Sequence, residues 1–482
     1  MPGIISEKTQ KLELLWFIFG LVIATELACD LYASLHARGL YADAAPLLIV
    51  LYESKQFFVS LSGSRAVVEI LRQTPIVLLS KFSSVTLFQC GQAFTFVMLA
   101  LPSLICALCW PISPPGEKGW IVFPTAFLLI GFAATSVHAV GEAAVATSYF
   151  WILLFLLLFR VRSMGEQALF LVLCIPAFCL HEGAFPLTAI LLLALLLRVH
   201  AAAGTSRERL FVVLASVLLS LIMAYQIDYV IFPNFPGDRA HILDGLTHFE
   251  FVYADGRFNL PLITGTLAFL TLLAIASINA TLPSDHAAGF TKIILVAWLL
   301  VVLAAIVVAT TIEISLSPLA QAQARYQPVF VSAGLAAVMI LLRRFRLPDR
   351  IWKNAATVLV LISLCVAQAV TDVAATRQWN DYVTDLQTTL DHEHGLIPWE
   401  TRLSFANRRT AIDWRAFEIA WTIPYLCIIF APNGVVNSII DLPQDLTFRP
   451  LDPERLDRLP KLSGIDFTPY KRYLAGQRNA HD

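Results

Sequence analysis

Charge is what this sequence has least of: Asp, Glu, Lys and Arg make up 14% of its 482 residues and leave a formal net charge of −1. That balance gives no global pull toward nucleic acid or anionic substrates, so electrostatic effects have to be local. No glycine-rich phosphate loop and no dinucleotide fingerprint occurs, and a soluble nucleotide is therefore not indicated as a direct substrate. His-Glu-x-x-His is missing too, which leaves a divalent ion open but weakly indicated. Of eight cysteines, seven (Cys29, Cys90, Cys106, Cys109, Cys174, Cys179 and Cys365) lie in or at apolar runs, and no disulfide framework is visible. Cys106 and Cys109 have metal-site spacing without a partner pair, so packing is the better reading. Internal repeats and low-complexity tracts are also missing.

Apolar residues are abundant instead. They form 57% of the chain, and a mean hydropathy of +0.70 means more apolar surface than one soluble core can bury. The composition is that of an all-α polytopic membrane protein. Runs of roughly the 20 residues a bilayer requires lie near 14–30, 84–110, 121–138, 143–159, 168–181, 184–197, 210–232, 258–283, 293–312, 326–342 and 355–375, about eleven transmembrane helices. The first run ends in Glu26 and Asp30 with no small-residue cleavage pattern, so it reads as a retained helix and not a signal.

With the N-terminus in the cytoplasm, the inner segments hold 14 Lys and Arg in 63 residues, whereas the alternate segments up to residue 325 hold 8 in about 100. The block at 343–353, RRFRLPDRIWK, weighs most. The positive-inside rule then places the C-terminal region outside, and Asp30, His138, Glu142, His181, Glu182, Glu313 and Arg325 all fall at outer helix ends. Ionisable groups at such depth line cavities or pair with one another.

Between the first two runs, 41–58 and 64–79 carry apolar residues at three-to-four spacing with charges between, the pattern of helices lying in the interface. Residues 233–257 form a second outer loop, rich in turn residues, that reads as a lid or an ordinary solvated loop. The chain thus divides into a membrane module, 1–375, and a C-terminal extracytoplasmic domain, 376–482. Within the latter, 419–432 is too short and too interrupted by proline to span a membrane and reads as a buried segment.

Asp30 ends the first helix, with Glu26 one turn earlier on the same face. A carboxylate at the mouth of an apolar cavity can take the proton of an acceptor hydroxyl during group transfer. His138 and Glu142, at four-residue spacing, and His181 beside Glu182 could bind a sugar, hold a divalent ion or orient each other. Arg325 and Tyr326 sit where the chain enters the tenth helix from outside, a place suited to a lipid phosphate. Lys55, Arg65 and Arg72 in the interfacial helices could add to it or merely contact lipid.

A first helix ending in Asp30, a long outer segment of interfacial helices, about eleven spans, the ARY-x-P stretch at 324–328 and a C-terminal outer region together resemble the GT-C superfamily of membrane glycosyltransferases. That resemblance covers about 1–375 and implies transfer of a sugar from a polyprenyl-phosphate donor to a lipid or glycan acceptor, on the periplasmic side of a bacterial inner membrane. By it, Asp30 activates the acceptor, Arg325 with Arg65, Lys55 and Tyr326 holds the donor phosphate, and His181, Glu182, His138 and Glu142 bind sugar or acceptor. Family members often carry a second acid in the first outer loop. Asp43 and Glu53 are the candidates here. An O-antigen-ligase-like enzyme, an acyltransferase built on His181, and a lipid or glycan transporter are the competing readings.

Overall fold

The computed structural model describes residues 2–40, 44–57, 65–82, 84–136, 141–201, 206–232, 253–254, 257–258, 260–281, 283–311, 327–344, 355–392, 395–397, 422–431, 436 and 438–440. Among these the protein is almost entirely helical. Each of the apolar runs becomes helix: α1 (Pro2–Leu35), α4 (Leu87–Ile112), α5 (residues 122–136), α6 (Glu142–Arg160), α7 (Met164–Ala177), α8 (Phe185–Arg198), α9 (Ser206–Ile231), α10 (Leu260–Thr281), α11 (Ser284–Thr311), α12 (Gln327–Arg344) and α13 (Ala355–His392). Six of them, α1, α4, α6, α9, α11 and α13, contain stretches long and apolar enough to cross a bilayer, and the protein is membrane-embedded. The segments read as interfacial form α2 (Ala44–Ser54) and α3 (Ala66–Leu79).

Exposure orders the bundle. In α6, 83% of the apolar window is buried, against 22% in α11, so α6 is the central post and α11 faces lipid. Its Trp151 is fully buried and donates to Ser332 Oγ of α12 at 3.1 Å. Exposed Leu210, Val213, Leu214, Val217 and Leu221 form a stripe along α9 that water would not tolerate and lipid covers. Polar side chains tie helix to helix: Trp298 of α11 donates to Ser363 Oγ of α13 at 2.7 Å, and Gln368 of α13 donates to the Pro261 carbonyl of α10 at 3.1 Å. Cys106 and Cys109 are buried in the same apolar core, so their spacing is a packing pattern.

A second apolar core lies beyond the first. It is built from Leu48, Leu51 and Tyr52 of α2, Phe94 of α4, Trp379, Tyr382 and Leu386 of α13, and Leu426 and Ile429 of α14 (Ile423–Ile429). Here α13 matters most, because it runs without a break from the membrane core across residue 375 to His392. Residues beyond 375 therefore share their core with α2 and α4. Strand β3 (Gly395–Ile397) pairs in parallel with β4 (Ser438–Ile440) beside α14, while β1 (Tyr253–Ala254) and β2 (Arg257–Phe258) make a two-residue antiparallel pair in the 233–257 region.

The end of the bundle away from this second core is basic. Arg160 donates to the Pro111 and Ile112 carbonyls at 2.9 and 2.8 Å, Arg343 to the Leu158 carbonyl at 3.2 Å, and Arg198 to the Leu157 carbonyl at 2.8 Å. Cations here satisfy carbonyls that helix C-termini leave open. Lys118 donates to the Trp110 carbonyl and covers its ring, and burial together with nearby Arg160 lowers its proton affinity.

Candidate functional site

Between the two apolar cores lies a polar layer. Ala367 of α13 belongs to the membrane core and Ala375 to the outer one, and Asp372 sits between them. Its partner comes from the other end of the chain. α1 stops at Leu35, Ala37 turns the backbone through a left-handed conformation at φ 50°, and the following residue, Arg38, is directed back against α13. Gly39 is required next: a Cβ there would meet Thr95 Oγ1 at 2.8 Å and Thr95 Cα at 3.0 Å, and its own N–H donates to Thr95 Oγ1 at 3.1 Å.

Arg38 pairs with Asp372 Oδ1 at 2.6 Å and also donates to the Asp372 carbonyl at 3.0 Å and Thr376 Oγ1 at 2.7 Å. Ser136, closing α5, donates to the same carboxylate at 3.5 Å. Glu26 and Asp30 of α1 complete the group, both buried and both within electrostatic reach of Asp372 and Arg38. Three acids thus lie within electrostatic reach of one guanidinium, and Asp372 is the one paired with it. Asp30 Oδ2, Asp372 Oδ2 and Arg38 Nε are buried with no hydrogen-bond partner among the described residues. Orphaned polar atoms of this kind are costly, and several at one place mark a site that function maintains.

A second polar group lies where α3 meets α6. Arg72 bonds to Glu142 and lies 3.7 Å from Glu69. Glu142 opens α6 behind Gly141, which caps the helix in extended conformation. His181 is buried in the α7–α8 turn, where its Nδ1 accepts the Gly183 N–H at 3.0 Å. That acceptor role places the proton of the neutral ring on Nε2.

Several sequence expectations can be placed directly. Asp30, Glu142 and His181 do lie at one end of the bundle, away from the basic end. Glu53 is half-buried on α2, and Lys55 is exposed in a left-handed turn at φ 55° that ends the same helix. Arg65 precedes α3 as its N-cap residue. Glu182 opens the short helical turn Glu182–Ala184, its side chain outside the described set. Asp43, His138, Glu313, Arg325 and Tyr326 lie outside the described residues. Among the described residues no group of three His, Cys, Asp or Glu side chains is arranged to hold a metal ion. Arg38, Asp372, Thr376 and Ser136 were not singled out from the sequence, although Asp372 ends an apolar run as Asp30 does.

No protein-family model, no characterised protein and no solved structure matches the chain. The fold and the polar layer define a membrane-embedded all-α protein with an acid-rich group at one end of its bundle.

Proposed function

We propose that the chain is a membrane glycosyltransferase of the GT-C type, moving a sugar from a polyprenyl-phosphate donor to a lipid or glycan acceptor on the outer face of a bacterial inner membrane. The observation that carries the reading is the buried Oδ2 of Asp30, without a hydrogen-bond partner among the described residues, at the level where the membrane core gives way to the outer core. In this reading Asp30 accepts the acceptor hydroxyl's proton while that oxygen bonds to the anomeric carbon. The bond from that carbon to the phosphate oxygen breaks, the lipid phosphate leaves with the electron pair, and one displacement inverts the stereochemistry.

Arg38 takes a positioning role, holding Asp372 and Thr376 of α13 against the end of α1 that carries the acids. The basic residues at the far end agree with a cytoplasmic location for that end, and hence with a periplasmic site. From Glu142 to Arg160, α6 rises roughly 27 Å, close to the bilayer core's thickness. On this reading the shorter helices complete a span count of about eleven, and the described residues beyond 375 form the outer lobe with α2.

The acyltransferase reading is weakened by His181, whose neutral ring presents Nε2 as a donor and not as a base. A transporter would place its polar groups at the midplane with access to both sides, whereas Asp30, Arg38 and Asp372 gather at one end. The test is release of free lipid phosphate by the purified protein from a panel of polyprenyl-phosphate sugars. No release from any donor, with the protein folded, would count against the reading.

A further inference from the structure

Beside the polar layer, α13 carries a second feature that the reading above does not use. Ala369, Val370, Val373, Ala374 and Arg377 lie on one helical stripe and face the last turn of α11, lining with it an open groove of about 590 Å³. Its walls are mostly small and apolar, with Gln378 beside Arg377. The Thr310 and Thr311 hydroxyls at its rim already donate within their own helix, to Ile306 O at 2.9 Å and Val307 O at 2.6 Å. Arg377 differs: it is exposed and has no ion pair or hydrogen bond among the described residues. It lies at the end of the groove, five residues and so about 7.5 Å of helix rise beyond Asp372.

A smaller groove of about 350 Å³ lies on the other side of the stripe, lined by Thr25, Ala28, Cys29 and Tyr32 of α1, and it too ends on Val373. Val373, next to Asp372 in the chain, is the lining residue common to both grooves.

We infer that the α11–α13 groove seats the hydrocarbon chain of a single-chain lipid phosphate and that Arg377 binds its headgroup. Charge complementarity selects the occupant. A guanidinium with no carboxylate partner among the described residues, at the end of an apolar track, suits a phosphate monoester or diester. A zwitterionic lipid brings a cation of its own against Arg377, and a two-chain lipid needs two tracks from one head, whereas Arg377 lines only the α11–α13 groove. That this lipid phosphate is the sugar carrier rests on the reading above. The site then has a headgroup ligand other than Arg325, Arg65 and Lys55.

The test uses the full chain in phosphatidylcholine nanodiscs and measures binding of polyprenyl phosphate, of the matching prenyl alcohol and of phosphatidylglycerol. Loss of a charge-assisted contact in Arg377→Gln should weaken polyprenyl phosphate about tenfold or more. Arg377→Lys should keep most of it, and Ala369→Phe, which fills the groove and leaves the charge, should weaken phosphate and alcohol alike. Unchanged affinity in Arg377→Gln, or phosphatidylglycerol binding as tightly as polyprenyl phosphate, overturns the inference. The two proposals fail separately. If binding behaves as stated but no polyprenyl-phosphate sugar is turned over, the transferase reading falls and the lipid site stands. If sugar is transferred and Arg377→Gln changes neither binding nor KM, the site falls and the transferase reading stands.

Discussion

Arg38 and Asp372, 334 residues apart in the chain, form a buried ion pair at 2.6 Å that joins the end of the first helix to the helix leading out of the membrane core. The pair holds together two regions that no local interaction would join, and it lies beside the orphaned carboxylate oxygen of Asp30. The stability of this end and its proposed chemistry therefore depend on the same few residues in opposite ways.

Removing one member of the pair leaves the other buried and uncompensated. Arg38→Ala is expected to cost about 3–5 kcal/mol. Replacing both, as Arg38→Met with Asp372→Leu, should recover much of that. Thermal unfolding of the purified protein reads both variants, and a double variant no more stable than Arg38→Ala would contradict the account.

Asp30 predicts the reverse. Its Oδ2 has no hydrogen-bond partner among the described residues, so Asp30→Asn removes a poorly compensated charge and should leave the unfolding temperature unchanged or raise it. A marked loss of stability would mean that the carboxylate has a structural partner.

The turn that delivers Arg38 has its own test. Gly39→Ala places a methyl group 2.8 Å from Thr95 Oγ1 and 3.0 Å from Thr95 Cα, and the overpacking should cost about 1–3 kcal/mol. Combining it with Thr95→Ala should relieve the hydroxyl clash but not the backbone one, leaving a partial defect.

At the second polar group, Arg72→Ala strips the cation from Glu142 and Glu69, with an expected cost of about 1–3 kcal/mol. Arg72→Lys should restore only part of it, because a lysine offers one point charge to two carboxylates. Equal stability of wild type and Arg72→Ala would show the pair to be incidental.

Most of the helical layout was readable because membrane helices announce themselves by uninterrupted apolar length, and α2 and α3 by their periodicity. What hydropathy hides is continuity through a polar environment. α13 keeps its helix from Ala355 to His392, yet its apolar run stops near 375, so the helix reads as a domain boundary when it is in fact shared by both cores. Asp30 was readable as an acid ending an apolar helix. Its neighbours were not: Arg38 lies between the first apolar run and the stretch 41–58, outside either pattern, and Asp372 gains its meaning only from a partner 334 residues away. Glu142 was singled out as a sugar ligand, and the cation beside it, Arg72, belongs to a helix whose docking on α6 no local pattern reveals.

Orientation can be checked without any substrate. In a background without other reactive cysteines, Gly165→Cys, where added atoms meet nothing within 4 Å, and Asp391→Cys, at the exposed end of α13, should react with a membrane-impermeant maleimide from opposite sides, Asp391→Cys from the periplasm. Labelling of both from one side would break the one-ended arrangement on which the site rests.

The most direct measurement is turnover. Purified wild type and Asp30→Asn, shown by unfolding to be equally folded, are given polyprenyl-phosphate sugars and an envelope glycolipid fraction, and release of free lipid phosphate is followed. The account predicts release by wild type that falls by about two orders of magnitude or more in Asp30→Asn, the loss of a general base. Undiminished release in Asp30→Asn would contradict Asp30 as the base, and no release by wild type with any donor would contradict the transferase itself.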